Sequence, residues 1–234
     1  MYLLEVLLAV FSSNYQGQGL ISKGWAGYIV TSDLEDHNKQ VIGINASWTV
    51  PRIGGFSSDA FSSAWIGIGG YSDKTLIQTG TEHDSVNGEE YYSAWHEMLP
   101  DKAIRINTMN ISPGDVITAS ITLIDSDMNQ WAIRIHDVTS GQGFYRTFIY
   151  NSSRLSAEWV VERPHVNEEI TRLANFGTIT FTDLHVKISD TVGKISNFPY
   201  SQIIMTTDLG KQLTSVSPLG EDGASFSVTH LSSG

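Results

Sequence analysis

Apolar and polar residues alternate along most of this chain, in short blocks bounded by turn signals. The clearest blocks are residues 27–31, 41–50, 63–68, 116–123, 131–137 and 178–182, rich in β-branched and aromatic side chains. Period-two patterning of this kind predicts strands that bury one face. Between them, Pro51 to Gly55, Ser112 to Asp115 and Thr139 to Gly143 read as turns. Helical signals are poor. The best runs from Asn167 to Asn175, with Asn167 as its N-cap. Many short strands and almost no helix predict an all-β sandwich.

Strand parity then sorts side chains by face. In the string Ala157-Glu158-Trp159-Val160-Val161-Glu162, residues Ala157, Trp159 and Val161 point one way and read as core. Glu158, Val160 and Glu162 point the other way, a polar face that still carries an apolar residue, as a lined groove would. In the string from Tyr91 to Glu97, residues Tyr91, Ser93, Trp95 and Glu97 share a face. Ordinary solvent-facing strand residues would give the same pattern.

Composition narrows the function. The 234 residues suit one large β domain, and 41% hydrophobic content supplies a core. Net charge is −11 with only 14 scattered Lys and Arg, which argues against nucleic acid because no basic stripe exists to neutralise phosphates. Only 17% of residues are charged, a surface compatible with exposure to acid. There is no cysteine, so disulfide and thiolate chemistry are excluded. No apolar run is long enough for a membrane-spanning helix. Tyr2 to Phe11 resembles the apolar part of a signal peptide, but lacks a basic start and contains Glu5. A strand-like segment is the equal alternative. The expected organisation is an N-terminal segment, residues 1–23, before a single domain, residues 24–234.

Several chemistries lack an anchor. No G-x-S-x-G elbow and no D-[ST]-G pair occur, which disfavours a serine hydrolase and an aspartic dyad and predicts insensitivity to pepstatin. Gly67-Ile68-Gly69-Gly70 is not followed by a helix and reads as close backbone approach in a strand. None of the seven histidines sits in a zinc motif, and Glu82-His83-Asp84 reads equally as a ligand cluster or a polar loop. Glu158 and Glu162, four residues apart on a strand, are separated by roughly 13 Å, too far for a glycosidase pair. Glu97 with Glu162 stays open as such a pair. A non-catalytic carbohydrate-binding sandwich stacking sugars on Trp65, Trp95 and Tyr91 stays open as well.

A set of co-linear strings carries a more specific signal. They are Gly24-Trp25-Ala26-Gly27, Ala64 to Gly70, Ile77-Gln78-Thr79-Gly80, Tyr92 to Glu97, Ala157 to Glu162 and Leu173 to Thr182. In order and spacing this stretch, about residues 24–185, resembles the glutamic peptidases (family G1, the eqolisins), and the chain looks like a prokaryotic relative. The resemblance implies two packed antiparallel sheets of about seven strands each, with a substrate groove on one face. It assigns catalysis to Gln78 and to Glu162, the last residue of its string, and not to Glu158. It makes Trp95, Glu97, Glu82, Trp25 and Trp65 groove residues. Departures are the missing cysteines, Gly69 where some members carry aspartate, a longer 82–91 loop and Pro164.

The implied protein is a secreted, monomeric, acid-acting endopeptidase on polypeptide substrates, with no cofactor or metal. Glu162 takes a proton from a water held between it and Gln78 and later returns it to the leaving amine. Gln78 donates to the oxyanion. An ordinary glutamate pKa of about 4.3 fits that role in acid.

Overall fold

A computed structural model of the protein describes residues 19–32, 39–54, 58–167 and 169–234. The possible signal segment, Tyr2 to Phe11, lies outside the described residues. The strands, in chain order, begin with β1 (Leu20–Ser22), β2 (Trp25–Thr31), β3 (Val41–Thr49), β4 (Ala60–Gly69), β5 (Leu76–Val86) and β6 (Glu89–Met98). There follow β7 (Ile104–Arg105), β8 (Val116–Asp125), β9 (Gln130–Asp137), β10 (Gly143–Ile149), β11 (Ser156–Glu162) and β12 (His165–Val166). The last six are β13 (Glu169–Ile170), β14 (Thr178–Ile188), β15 (Thr191–Lys194), β16 (Tyr200–Met205), β17 (Thr214–Val216) and β18 (Phe226–His230).

These strands form two large sheets. One runs β1-β16-β2-β11-β4-β5-β6-β7 and the other β10-β9-β8-β3-β14-β18-β17, with β15 added to β14. Every pairing is antiparallel except β1 with β16. The all-β sandwich read from the alternation is therefore the observed fold. The core lies between the sheets, where Trp159, Ile66, Ala64 and Ala94 of the first meet Trp48, Ile121, Trp131 and Phe181 of the second. Polar ends inside this core are paired. The Trp159 indole N–H donates to Asn45 O at 3.0 Å, and the Trp48 N–H to Thr81 Oγ1 at 3.0 Å, tying sheet to sheet.

The helix expected over Asn167–Asn175 does not form. Asn167 takes φ 53° in the turn between β12 and β13, a left-handed setting that asparagine tolerates. Beyond it the backbone bonds to distant strands. Leu173 N–H donates to Ser233 O and Ala174 N–H to Phe61 O, so no i−4 ladder is available. Tertiary pairing overrode a weak local signal.

Candidate active site

The first sheet has a second face, turned away from the core, and Gln78, Glu162, Trp95, Glu97, Glu82, Trp25 and Trp65 all stand on it. Register fixes their positions. Glu162 lies opposite Trp25 of β2 and Ser63 of β4. Ser63 lies opposite Glu82 of β5, which lies opposite Ser93 of β6. Two residues along, Val160, Trp65, Gly80 and Trp95 form the next row. Two further along come Glu158, Gly67, Gln78 and Glu97. Trp65 is thus the centre of a rectangle whose corners are Gln78, Glu82, Glu162 and Glu158.

Gln78 and Glu162 hold one diagonal of that rectangle. They are two strands apart and four residues out of register, about 16 Å between α-carbons for a flat sheet. Each extended side chain reaches about 5 Å. Leaning fully towards each other, the two side chains could bring their tips to within about 6 Å, the span of one water with a hydrogen bond at each end. The same reckoning leaves about 9.5 Å between Glu97 and Glu162, which are three strands apart, far outside the retaining range and at the upper edge of the inverting one.

The contacts build each corner. Gln78 Nε2 donates to Glu97 Oε2 at 2.5 Å. Gln78 Oε1 is buried and has no hydrogen-bond partner among the described residues. Trp65 Nε1 donates to Glu162 Oε2 at 2.7 Å. The Trp25 ring meets the Trp65 ring edge-on, 4.9 Å between centroids at 79°. Ser93 Oγ donates to Glu82 Oε1. Two glycines make room for the central indole. A Cβ at Gly67 would lie 2.8 Å from Trp65 Cζ3, and one at Gly80 would lie 2.5 Å from Trp65 Cβ. This is the close approach expected from the glycine string. Trp65 therefore floors the space between Gln78 and Glu162.

This face is not an open trough. Gln78, Glu97, Glu162, Trp25, Trp65 and Trp95 are all 3% exposed or less. Trp25, Ile29, Trp65, Leu76, Trp95, Val160 and Ile203 make a second apolar cluster, flanked by Leu20, Tyr71, Leu99 and Ala103. Buried indoles offer no stacking face to a sugar, so Trp65 and Trp95 do not form the carbohydrate platform considered from sequence.

Burial also overturns the expected proton affinity of Glu162. Desolvation pushes its carboxyl up to about 8, opposed by the N–H groups of Trp65 and Trp25. Glu82 is raised too, mainly by burial, with Ser93 and Arg105 pulling it back. Asp84, two residues on and on the same face, is raised by burial and then by the charge of Glu82. The string Glu82-His83-Asp84 is strand, not loop. His83 faces the core, so the three cannot converge on an ion. Among the described residues no cluster of His, Cys, Asp and Glu could hold a metal.

What sequence reading passed over is Glu158. It is fully buried, both carboxyl oxygens lack a hydrogen bond among the described residues, and burial raises it well above the usual range. Its signal was present as parity with Glu162, but nothing in the string said what lay across the sheet from it.

The chain matches known proteins along nearly all of this architecture. The Peptidase A4 family matches residues 23–228. Aspergillopepsin-2 of Aspergillus niger is 27% identical over 230 residues, covering 94% of this chain and 78% of that protein. Scytalido-glutamic peptidase, solved with a transition state analog inhibitor, superposes with a TM-score of 0.74 at 24% identity, over 89% of this chain and 98% of its own. SCP-B, described as a member of the eqolisin family, superposes with a TM-score of 0.68 at 25% identity over the same shares. With the family match spanning most of the chain, the protein belongs to the Peptidase A4 family and is a glutamic peptidase, a hydrolase of polypeptides.

Proposed function

We propose that this peptidase is an acid-acting endopeptidase in which Gln78 and Glu162 work as a dyad. It would act outside the cell as a monomer. The observation that carries the reading is the register that sets Gln78 and Glu162 on one face, at opposite corners around Trp65, near enough for their side chains to share one water when they lean together. Ionised Glu162 accepts a proton from that water as it attacks the scissile carbonyl. Glu97 takes one N–H of the Gln78 amide, and the other donates to the oxyanion. Neutral Glu162 then gives its proton to the leaving amine.

The raised proton affinity of Glu162 acts in two directions. It makes Glu162 a strong base once ionised, and favours the protonated acid that the second step needs. It also leaves only about 10⁻⁴ of the buried group ionised at pH 4. Turnover in acid therefore depends on substrate and water entering and restoring solvation around the carboxyl.

The test is hydrolysis of casein and a quenched peptide from about pH 2 to 6. Cleavage resists pepstatin and falls by at least about 10²-fold in Gln78→Ala, the scale of a lost oxyanion donor. It is abolished in Glu162→Gln. Full activity in either variant, or strong inhibition by pepstatin, overturns the dyad.

A further inference from the structure

We propose that Glu158 is a positioning residue that fixes which way the Gln78 amide points, by donating a hydrogen bond towards Gln78 Oε1 across Gly67. This rests on the dyad reading above.

The argument is the row itself. Across four adjacent strands the residues in register are Glu158, Gly67, Gln78 and Glu97. Gln78 thus has a carboxyl on each side. On one side Glu97 Oε2 accepts from Gln78 Nε2. A primary amide held by nitrogen on that side presents its oxygen elsewhere, and the only side-chain-free position beside it in the row is Gly67. Beyond Gly67 stands Glu158. Gln78 Oε1 on one side of the glycine, and both oxygens of Glu158 on the other, are the atoms of this row with no partner among the described residues. Gln78 Oε1 can only accept, so its partner must be a donor. A carboxyl supplies one only in its acid form.

The surroundings of Glu158 keep it in that form. Burial dominates, and Asp73, in the loop between β4 and β5, adds a like charge. β2 presents Ile29 opposite it, and β4 presents Gly67. Its own strand carries Glu162 four residues on, and the row carries Glu97. Ser156 alone favours the charged form. No cation faces it among these groups. Across the row, α-carbons two strands apart are about 10 Å from each other. Two side chains and one bridging water, or the side chains directly, span that distance.

The function assigned follows from amide symmetry. A glutamine flipped by 180° would present oxygen, not N–H, to the developing oxyanion. Glu97 alone selects weakly, because a protonated Glu97 could accept or donate. A donor at Glu158 and an acceptor at Glu97 together select one orientation. Loss of the donor lowers kcat more than it raises KM, because the N–H is used only as the oxyanion forms.

The experiment compares Glu158→Gln and Glu158→Leu by pH-resolved kcat and KM, with thermal melts to check folding. Glu158→Gln keeps an N–H donor and retains kcat within about threefold at pH 4. Glu158→Leu fills the same space without a donor, and kcat falls about tenfold or more with KM little changed. In the wild type kcat also falls at high pH as Glu158 ionises; in Glu158→Gln that limb moves or disappears. Equal kcat in the leucine variant and the wild type, or an unmoved limb in the glutamine variant, overturns the proposal. Should the leucine variant not fold, the limb in Glu158→Gln still decides. Gln78→Ala, run alongside, separates the two ideas. If it is active the dyad itself fails, whereas an inactive Gln78→Ala with an unaffected Glu158 series sinks only the role of Glu158.

Discussion

The two faces of the first sheet are made of the same strands and are equally dry, yet they treat polar atoms differently. On the core face one chain of buried groups closes upon itself, while His96 Nδ1 and Ser85 Oγ have no hydrogen bond among the described residues. Trp48 donates to Thr81 Oγ1, and the Thr81 hydroxyl, 2.9 Å from His83 Nε2, has its hydrogen left for that nitrogen. The proton of His83 is then on Nδ1, facing Ser62 Oγ at 3.4 Å, and Ser62 donates to His83 O. On the outer face Gln78 Oε1, Asp84 Oδ1 and both oxygens of Glu158 have no hydrogen bond among the described residues. Leaving a buried polar atom unmade costs about 1–3 kcal/mol. The unpaired carboxyl and amide oxygens gather on the outer face, and such acceptors are what an entering water or substrate can satisfy.

The faces also respond to pH with opposite signs. On the outer face Glu82, Asp84, Glu158 and Glu162 are all raised in the folded state. Their contribution is fully present below the unfolded values, 4.5 for the glutamates and 3.8 for Asp84, and is lost as pH rises towards the folded values. For Glu162 the window runs from 4.5 to about 8, worth on the order of 5 kcal/mol if burial persists. Glu162→Gln, which cannot ionise, removes that share. The expected result is a melting temperature that declines less from pH 5 to 8 than the wild type's. Parallel declines would mean that Glu162 is solvated and the outer face is open.

On the core face the neutral histidines act the other way. Burial lowers His83 to about 3, and burial with the charge of Arg146 lowers His96 to about 4. Their contribution is present above the unfolded value of 6.5 and is lost as pH falls through that range. His96 packs between Phe144 and Phe148, at 5.3 and 4.9 Å between ring centroids. Protonating it there costs on the order of 3 kcal/mol. His96→Leu is expected to melt higher than the wild type at pH 3 to 4 and within a few degrees of it at pH 7. A variant no more stable in acid would show that His96 stays wet. Between about pH 4.5 and 6.5 the four raised carboxyls lose more than the two histidines gain, so for these groups stability peaks near pH 4 to 4.5 and the histidines limit it only below that.

The strands and both faces of β5, β6 and β11 were legible because a period of two is local information. So was the family, since the strings around Gln78 and Glu162 are specific and the family match spans residues 23–228. Three things were not legible. The helix expected at Asn167–Asn175 failed because its backbone bonds to strands far away in sequence. The burial of Glu162, and with it the high proton affinity, depends on neighbours from β2 and β4 that no single string contains. The partnership of Glu158 with the row of Gln78 needs the register of three strands, and register is set by the whole sheet.

Trp65 is where the two faces meet a single test, because its strand neighbours Ala64 and Ile66 are core while its indole floors the outer face. Trp65→Phe keeps a ring over Gly67 and against Trp25 but deletes the N–H that binds Glu162 Oε2. A hydrogen bond to a charged acceptor is worth about 1.5–3 kcal/mol, so the charged form of Glu162 loses that much. Its proton affinity then rises by about one to two units. The acid limb of kcat/KM, which reports the base in the free enzyme, should move up in pH by that amount. Trp25→Phe should move it less, because Trp65 is the stronger of the two influences on Glu162. Thermal stability should change little beyond the small void left by the smaller ring. An unmoved limb in Trp65→Phe would mean that Glu162 is not the base whose ionisation starts the reaction, and the role of the central tryptophan would shrink to that of a spacer between two faces.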